Sequence, residues 1–430
     1  MDLYPLVERF AVDGAVSSIE PLGNGNINTT YLVCTSEGCR YVLQRLNTEV
    51  FTRPELVMAN LEQLGRHCAA RLADFSSPLS AGQSQFMAAT SDQRPPWQLP
   101  MPVPLRDGGG AANPGSTLLR HDDGGAWRLL TYVEGAHSLE RLDHPLQAHE
   151  VGRALGRFHA LIHDLPAAQL ADTLEGFHIT PGYYAHYQGL LAAGMATTSP
   201  SPTTTTTTTA SASAVTALSP ATPTAANAAV ADPSIAVRLS DPQAQWCCRF
   251  IAARESLVPV LEQAKQQGRL QLRPIHGDPK VNNVMLCSAT GCCVAMVDLD
   301  TVKPGLVHYD IGDALRSGCN PAGEESTDLA AVRFDLELAR AMLSGYLQEA
   351  HSWLTRADLE HLYDAIRLLP FELGLRFFSD HLAGDVYFKV SHSGQNLARA
   401  LVQFTLAASI EAQEVEIRAL IAELLAELQG

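Results

Sequence analysis

The chain has 430 residues, 46% of them hydrophobic, and a formal net charge of −16. The hydrophobic share suits a globular protein with a sizeable core, in two domains or one bilobal unit, and the acidic balance argues against nucleic-acid binding by bulk electrostatics. No apolar run reaches the length of a transmembrane helix, and Met1-Asp2-Leu3-Tyr4-Pro5 lacks the basic and apolar stretches of a secretory signal, so a cytoplasmic, monomeric protein without membrane partners is expected.

In chain order, Val16 to Leu22 reads as a strand, followed by a Gly/Asn loop, Gly23-Asn24-Gly25-Asn26-Ile27-Asn28. Thr29 to Cys34 and Arg40 to Arg45 read as two more strands, joined by a hairpin at Glu37-Gly38. Arg53 to Leu72 has helical periodicity, with Leu56, Leu61 and Leu64 near one face. Pro100 to Leu105 and Trp127 to Val133 are expected to complete a small antiparallel sheet around a glycine-rich loop at Gly108-Gly109-Gly110. A hinge falls at Thr131-Tyr132-Val133-Glu134-Gly135. Leu146 to Leu165 turns helical, and its His159 and His163 are read as ordinary surface or core residues.

Composition then changes abruptly. From Met195 to Ala231 no residue is charged, and Thr203 to Thr209 are seven consecutive threonines. Too few large apolar side chains are present to offset ordering entropy, so a disordered insertion is expected at about 195-232. Helical character resumes from Ala244 to Gln267, and the chain is mostly helical after Thr301. Thr355-Arg356-Ala357-Asp358 resembles a capping box, and Ile410, Ile417, Ile421, Leu424 and Leu428 lie on one stripe of a last helix that packs on the domain. The nine cysteines form no C-x-x-C pair and read as reduced, packed residues.

Between these helical regions lies His276-Gly277-Asp278-Pro279-Lys280-Val281-Asn282-Asn283, followed by Val297-Asp298-Leu299-Asp300. The pattern H-G-D-x-x-x-x-N with a later carboxylate has the parts of a kinase-type phosphoryl-transfer site. Asp278 aligns a substrate hydroxyl and accepts its proton. Lys280 sits where a cation meets the transferring phosphate. Asn283 and Asp298 offer the hard oxygen ligands that Mg²⁺ prefers. A lone H-x-D is better explained as a polar turn; the full set favours catalysis. Asp300 either joins the metal shell or hydrogen-bonds the loop. The loop at Gly23, Asn24, Gly25, Asn28 and Thr29 lets backbone approach ATP phosphates. One part is missing: where a kinase-like lobe carries a strand lysine, Tyr41-Val42-Leu43-Gln44-Arg45 has Gln44, with Arg45 beside it. Alternation along a strand lets only one of the two face the cleft. A nucleotide-binding pseudokinase scaffold is therefore one alternative.

These stretches, with Leu43-Gln44-Arg45-Leu46-Asn47, Tyr309-Asp310-Ile311-Gly312-Asp313, Phe371 to Phe378 and Gly384-Asp385-Val386-Tyr387-Phe388, resemble the aminoglycoside phosphotransferase and choline kinase superfamily, and within it the N-acetylhexosamine 1-kinase type of sugar anomeric kinase. The resemblance implies an α+β, bilobal protein-kinase-like fold with a small β-rich N-lobe over 1-135 and a larger, mainly helical C-lobe over 136-430. It implies ATP at the hinge near Tyr132, Val133 and Glu134, and a sugar held by Asp278, Thr301, Arg376 and Tyr387. From the residues alone, Arg376 reads equally well as an ion-pair partner of Asp380 at i+4, and Tyr387 as a packed aromatic. Asp310 and Arg316 read as supports of the catalytic loop, and His276 as its orienting residue. The activity implied is ATP- and Mg²⁺-dependent phosphorylation of an N-acetylhexosamine at C1; another small alcohol (choline, homoserine or an aminoglycoside) is the alternative substrate.

Overall fold

Alternating side chains early in the chain build an antiparallel sheet of β1 (Val16–Pro21), β2 (Thr29–Thr35), β3 (Arg40–Leu46), β4 (Leu118–Arg120) and β5 (Ala126–Thr131), in the order β1-β2-β3-β5-β4. The structure, a computed structural model, describes residues 2–23, 27–75, 94–106, 115–196 and 233–428. One face of the sheet carries Tyr41, Leu43, Trp127 and Leu129, buried against Leu6, Val7 and Phe10 from the region of a short helix, α1 (Tyr4–Val7). Cross-strand partners share a face, so the pairs Val42 with Leu130 and Gln44 with Arg128 occupy the other side.

Residues 100–105 do not form the expected strand. Pro100, Pro102 and Pro104 remove every second amide donor. What remains is Val103 N–H to the Leu129 carbonyl at 2.8 Å and Thr131 N–H to the Met101 carbonyl at 2.9 Å. The regular edge strand is β4, which the sequence pattern did not mark. The Gly108 loop lies outside the described residues.

The long helix α2 (Pro54–Phe75) follows the sheet's first three strands, and its Val57, Met58, Leu61 and Leu64 join the large core of the second half. Past Thr131 the strands are short: β6 (Ala136–Ser138), β7 (Arg273–Ile275), β8 (Val284–Cys287), β9 (Cys293–Met296) and β10 (Lys303–Gly305). They form a three-stranded sheet, β6-β8-β9, and a two-stranded ribbon, β10-β7. Four short strands, β7 to β10, therefore frame the H-G-D stretch.

The rest is helical: α3 (Pro145–Ile162), α4 (Thr180–Ala196), α5 (Pro233–Leu239), α6 (Pro242–Ala252), α7 (Val260–Gln266), α8 (Val307–Gly318), α9 (Leu336–Ala350), α10 (Arg356–Glu360), α11 (Leu362–Ala383), α12 (Gln395–Ala412) and α13 (Glu414–Glu427). This is the expected α+β arrangement of a β-sheet N-terminal part and a mostly helical remainder. Two helices differ from expectation. The stretch 244–267 breaks into α6 and α7, with Pro259 between them. The last stripe belongs to two helices, Ile410 on α12 and Ile417, Ile421 and Leu424 on α13, all four buried in one core. The capping box forms: Thr355 Oγ1 accepts from the Asp358 N–H at 3.1 Å and Asp358 Oδ2 from the Thr355 N–H at 2.8 Å. Of the expected insertion, Met195 and Ala196 end α4, and 197–232 lie outside the described residues. None of the described helices is long and apolar enough to cross a membrane.

α3 and α9 cross at glycines. A Cβ at Gly152 would stand 1.9 Å from the Met342 carbonyl oxygen, and one at Gly345 would stand 2.1 Å from that of His149. Both clashes are with backbone, so the helices would have to separate. Gly345→Ala is therefore expected to destabilise the protein by about 1–3 kcal/mol in denaturant unfolding. Unchanged stability would show that the crossing is looser than described.

Candidate active site

β7 delivers the chain to His276, and a buried carboxylate fixes the path of the loop from there. Asp310, in the first turn of α8, accepts from the backbone N–H of His276 at 2.6 Å and of Gly277 at 2.9 Å. His159 on α3, one of the two histidines read as surface or core residues, is buried in the core and reaches the same carboxylate through Nε2 at 2.9 Å, so it is part of this support. Burial would raise the Asp310 carboxyl, but His159, His276 and the Gly277 amide hold it below the ordinary range. His276 itself donates from Nε2 to the Val297 carbonyl at 3.0 Å and accepts from the Asp278 N–H through Nδ1 at 3.3 Å. Those partners require the neutral ring, and burial lowers its pKa. His276 thus orients the loop and exchanges no proton.

The opposite side of the loop is held by His178 and Glu372. His178 faces the Gly277 carbonyl with Nε2 and Glu372 with Nδ1, each at 2.9 Å, so both nitrogens must donate and the ring is an imidazolium. Burial opposes that charge, but Glu372 raises the His178 pKa, while Glu372 is lowered against its own burial by His178 and by the Thr180 hydroxyl at 2.6 Å. Gly277 itself, at φ 86°, has no room for a side chain: a Cβ would meet the Thr301 carbonyl oxygen at 2.6 Å.

Asp278 comes next. Its Oδ2 lies 2.8 Å from Lys280 Nζ and 3.3 Å from Asn283 Nδ2, which also donates to the Asp278 carbonyl at 2.8 Å. Burial would push the Asp278 carboxyl up, but Lys280 holds it below its ordinary range. With its amide nitrogen committed to Asp278, Asn283 has its oxygen left for a cation. Asp298 lies just past β9 and adopts φ 59°. Its pKa is pushed up to about 7, first by burial and then by Asp300 and Asp278. A divalent cation relieves that crowding, so Asn283 and Asp298 fit Mg²⁺. Among the described residues no group of three or more His, Cys, Asp or Glu side chains stands ready to hold a metal.

On the sheet side, register decides between Gln44 and Arg45. Gln44 Nε2 donates to Thr30 Oγ1 at 3.2 Å, and Gln44 Oε1 accepts from Arg128 at 2.9 and 2.7 Å. Arg45 turns to the opposite face, 3.3 Å from Asp123 and over the Trp127 ring. Thr29 pairs with Arg45 in the ladder, so Thr30, not Thr29, shares the Gln44 face. Asn28 donates to Asp300 Oδ2 at 2.6 Å, which ties the glycine loop to the turn carrying Asp298. Gly23 has φ 68°, while Asn24 and Gly25 lie outside the described residues.

At the hinge, Val133 is buried with Val294 and Ala295, next to Met285 and Val297. The Arg40 guanidinium lies 4.5 Å from the centre of the Tyr132 ring. Glu134 is a brace: its side chain pairs with Arg40, and its N–H and carbonyl are taken by the Gln98 side chain at 2.9 and 3.0 Å. Its N–H is thus engaged, while the carbonyl oxygen keeps a second lone pair.

The far wall is aromatic. The Arg376 guanidinium lies 5.0 Å from the Tyr183 ring centre, 5.1 Å from Phe177 and 5.3 Å from Phe388. The alternative ion pair with Asp380 is not among the contacts of the described residues. Asp380 instead accepts from the N–H groups of Val386, Tyr387 and Phe388 at 2.8–3.0 Å and holds that segment beside the helix. Tyr387 is not packed away but 51% exposed. Thr301 donates its hydroxyl to the His276 carbonyl at 2.7 Å, so its first task is to support the loop.

A family model described as the phosphotransferase enzyme family, APH, matches residues 18–353. The chain belongs to the APH family. Its fold is shared with solved structures of low identity. A microcompartment-associated aminopropanol kinase matches with TM-score 0.54 and 15% identity over 96% of this chain and 97% of that one. A choline kinase from Cryptosporidium parvum Iowa II matches with TM-score 0.50 and 10% identity over 97% and 96%. A spectinomycin phosphotransferase, solved with ADP and spectinomycin, matches with TM-score 0.50 and 8% identity over 95% and 97%. For an APH-family chain, sequence reasoning missed His178, Glu372 and Arg128. Arg128 did leave a signal: a lone charge inside the apolar run Ala126-Trp127-Arg128-Leu129-Leu130, where a buried charge needs partners.

Asp310 and Glu372 have folded pKa values below their unfolded ones. Each stabilises the fold above about pH 4, and that contribution is lost as pH falls through the lower folded value. Asp310→Asn should therefore cost roughly 1–3 kcal/mol at neutral pH. In thermal melts from pH 7 to pH 3, the gap between wild type and variant should close below about pH 4. A constant gap would mean that Asp310 does not act through its charge.

Proposed function

We propose that this small-molecule phosphotransferase transfers the γ-phosphoryl group of ATP to a sugar, at the anomeric C1 hydroxyl of an N-acetylhexosamine. The carrying observation is Asp278, ionised between Lys280 and Asn283, on a loop held from both sides by Asp310 and His178. In this reading residues 1–135 form the nucleotide lobe and 136–430 the catalytic and substrate lobe. The apolar cluster at Val133, Val294 and Met285 receives the adenine, beside Tyr132.

Asp278 accepts a hydrogen bond from the sugar hydroxyl and takes its proton as the oxygen attacks the γ-phosphorus. The new O–P bond forms as the bond to the β,γ-bridging oxygen breaks, and ADP leaves. A carboxylate below its ordinary pKa is a weak base, so Asp278 works chiefly by orientation. Lys280 sits beside Asp278, where charge builds on the transferring group. Asn283 and Asp298 would hold Mg²⁺, which neutralises phosphate charge when bound.

The aromatic wall favours a neutral, oxygen-rich substrate over an amino alcohol. A quaternary or primary ammonium needs open aromatic faces, and here Phe177, Tyr183 and Phe388 already surround Arg376. The guanidinium repels a cation but can donate to a sugar oxygen or an N-acetyl carbonyl. The exposed Tyr387 ring gives an apolar sugar face a surface to stack on.

The reading is tested by ADP release from Mg-ATP with N-acetylglucosamine, N-acetylgalactosamine, their 1-O-methyl glycosides, choline, homoserine and an aminoglycoside. Turnover of the free sugars but not of the methyl glycosides is expected; turnover of choline alone would replace the sugar reading with an amino-alcohol kinase. Asp278→Asn should lower kcat by roughly 10²–10⁴-fold with the melting temperature nearly unchanged. Arg376→Ala should raise the sugar KM and leave the ATP KM unchanged; an unaltered sugar KM would remove Arg376 from the site.

A further inference from the structure

Phosphoryl transfer of this kind needs a fixed cation against the nucleotide phosphates, and β3 turns none toward the cleft. Gln44 faces it, while Arg45 is spent on Asp123 at the opposite face. Directly across the ladder from Gln44 stands Arg128 on β5. Its side chain is 1% exposed and lies at a junction of three parts of the site. Gln44 Oε1 takes Nε and Nη2 along one edge of the guanidinium. Nη2 also pairs with Asp300, two residues from Asp298. Asp300 in turn accepts from Asn28 of the glycine loop.

The guanidinium is incompletely satisfied. Nη1 is buried and has no hydrogen-bond partner. A charged donor left so costs free energy that folding alone does not recover. A planar guanidinium fork that already takes a carboxylate fits a phosphate equally well, so an anion suits the unpartnered Nη1. We propose that Arg128 is the phosphate-binding cation of this enzyme, supplied from β5 in place of a β3 lysine, with Gln44 as its positioning residue and Asp300 as its partner when no nucleotide is bound.

This inference rests on the kinase reading, and the test separates the two. ATP and adenosine binding are measured by calorimetry with full-length wild type, Arg128→Gln, Asp300→Asn and the Arg128→Gln/Asp300→Asn double variant. The double variant removes both buried charges together, so it folds even where Arg128→Gln alone leaves Asp300 stranded. Relative to Asp300→Asn, it should bind ATP roughly ten- to a hundredfold more weakly and adenosine equally well. Adding Gln44→Lys to the double variant should restore at least part of the ATP affinity, since the cation then comes from the neighbouring strand. ATP affinity equal to that of Asp300→Asn would overturn the inference and leave Arg128 as a clasp between strand and turn. Failure of wild type to bind ATP at all would overturn the kinase reading and this inference together.

Discussion

Two amide hydrogen bonds to one buried carboxylate set the frame for everything else in the cleft. Asp310 pins His276 and Gly277 through their backbone, so the peptide that carries Asp278 leaves β7 in one direction only. A carboxylate in that place needs compensation, which it draws from His159 on one side and the loop amides on the other. The neutral His276 ring then links this loop to the Val297 carbonyl, just before Asp298. Catalytic loop and metal-side turn are thus one hydrogen-bonded unit. The cost of the arrangement appears as backbone strain. Among the described residues, the non-glycine positions with positive φ are His178, Asp298 and Asp385. Two hold or face the catalytic loop and the third precedes Val386 and Tyr387. Strain persists where surrounding contacts over-determine it, and here those contacts are the buried ion pairs and amide bonds around the site.

The electrostatics of the cleft are left unbalanced in a direction that suits its use. Asp298 feels two other carboxylates, Asp278 and Asp300, and two cations, Lys280 and Arg128. The excess of one negative charge in a buried setting keeps the Asp298 carboxyl near neutrality's edge, at about 7. A dication accompanied by phosphates would change that sum: the metal would favour the charged form of Asp298, and the phosphates would engage the cations. The same groups would be complementary to a metal–polyphosphate pair.

Legibility in the chain depends on distance along it. Asp278, Lys280, Asn283 and Asp298 lie within one stretch, and the roles proposed for them depend on spacing that a hairpin of short strands preserves. The capping box at Thr355 and the hairpin at Gly38 are equally local. The groups that were not legible act across long separations: Gln44 and Arg128 are 84 residues apart, and His178 and Glu372 are 194 apart. Their partnership is created by strand register and helix packing. Alternation alone left Gln44 and Arg45 as equal candidates; pairing with β5 separates them, because a one-residue slip would reverse every face of β3. The misplaced strand at 100–105 failed for a different reason. Its apolar alternation is real, but the alternate residues are prolines.

On the proposed sugar reading, the cluster around Arg376 says more about the substrate than charge at the surface does. A net charge of −16 is compatible with cationic ligands, yet Arg376 on α11 places a guanidinium among three aromatic rings. Burial would lower its pKa, but Tyr183, Tyr387, Glu372 and Asp313 hold it charged. A cation already filling the aromatic faces excludes a second one by repulsion and by occupancy, whereas a hydroxyl or carbonyl oxygen meets donors without meeting a like charge. Local complementarity outweighs net charge here because bulk screening acts over about 8–10 Å, while the groups that would touch a substrate lie within the cleft itself.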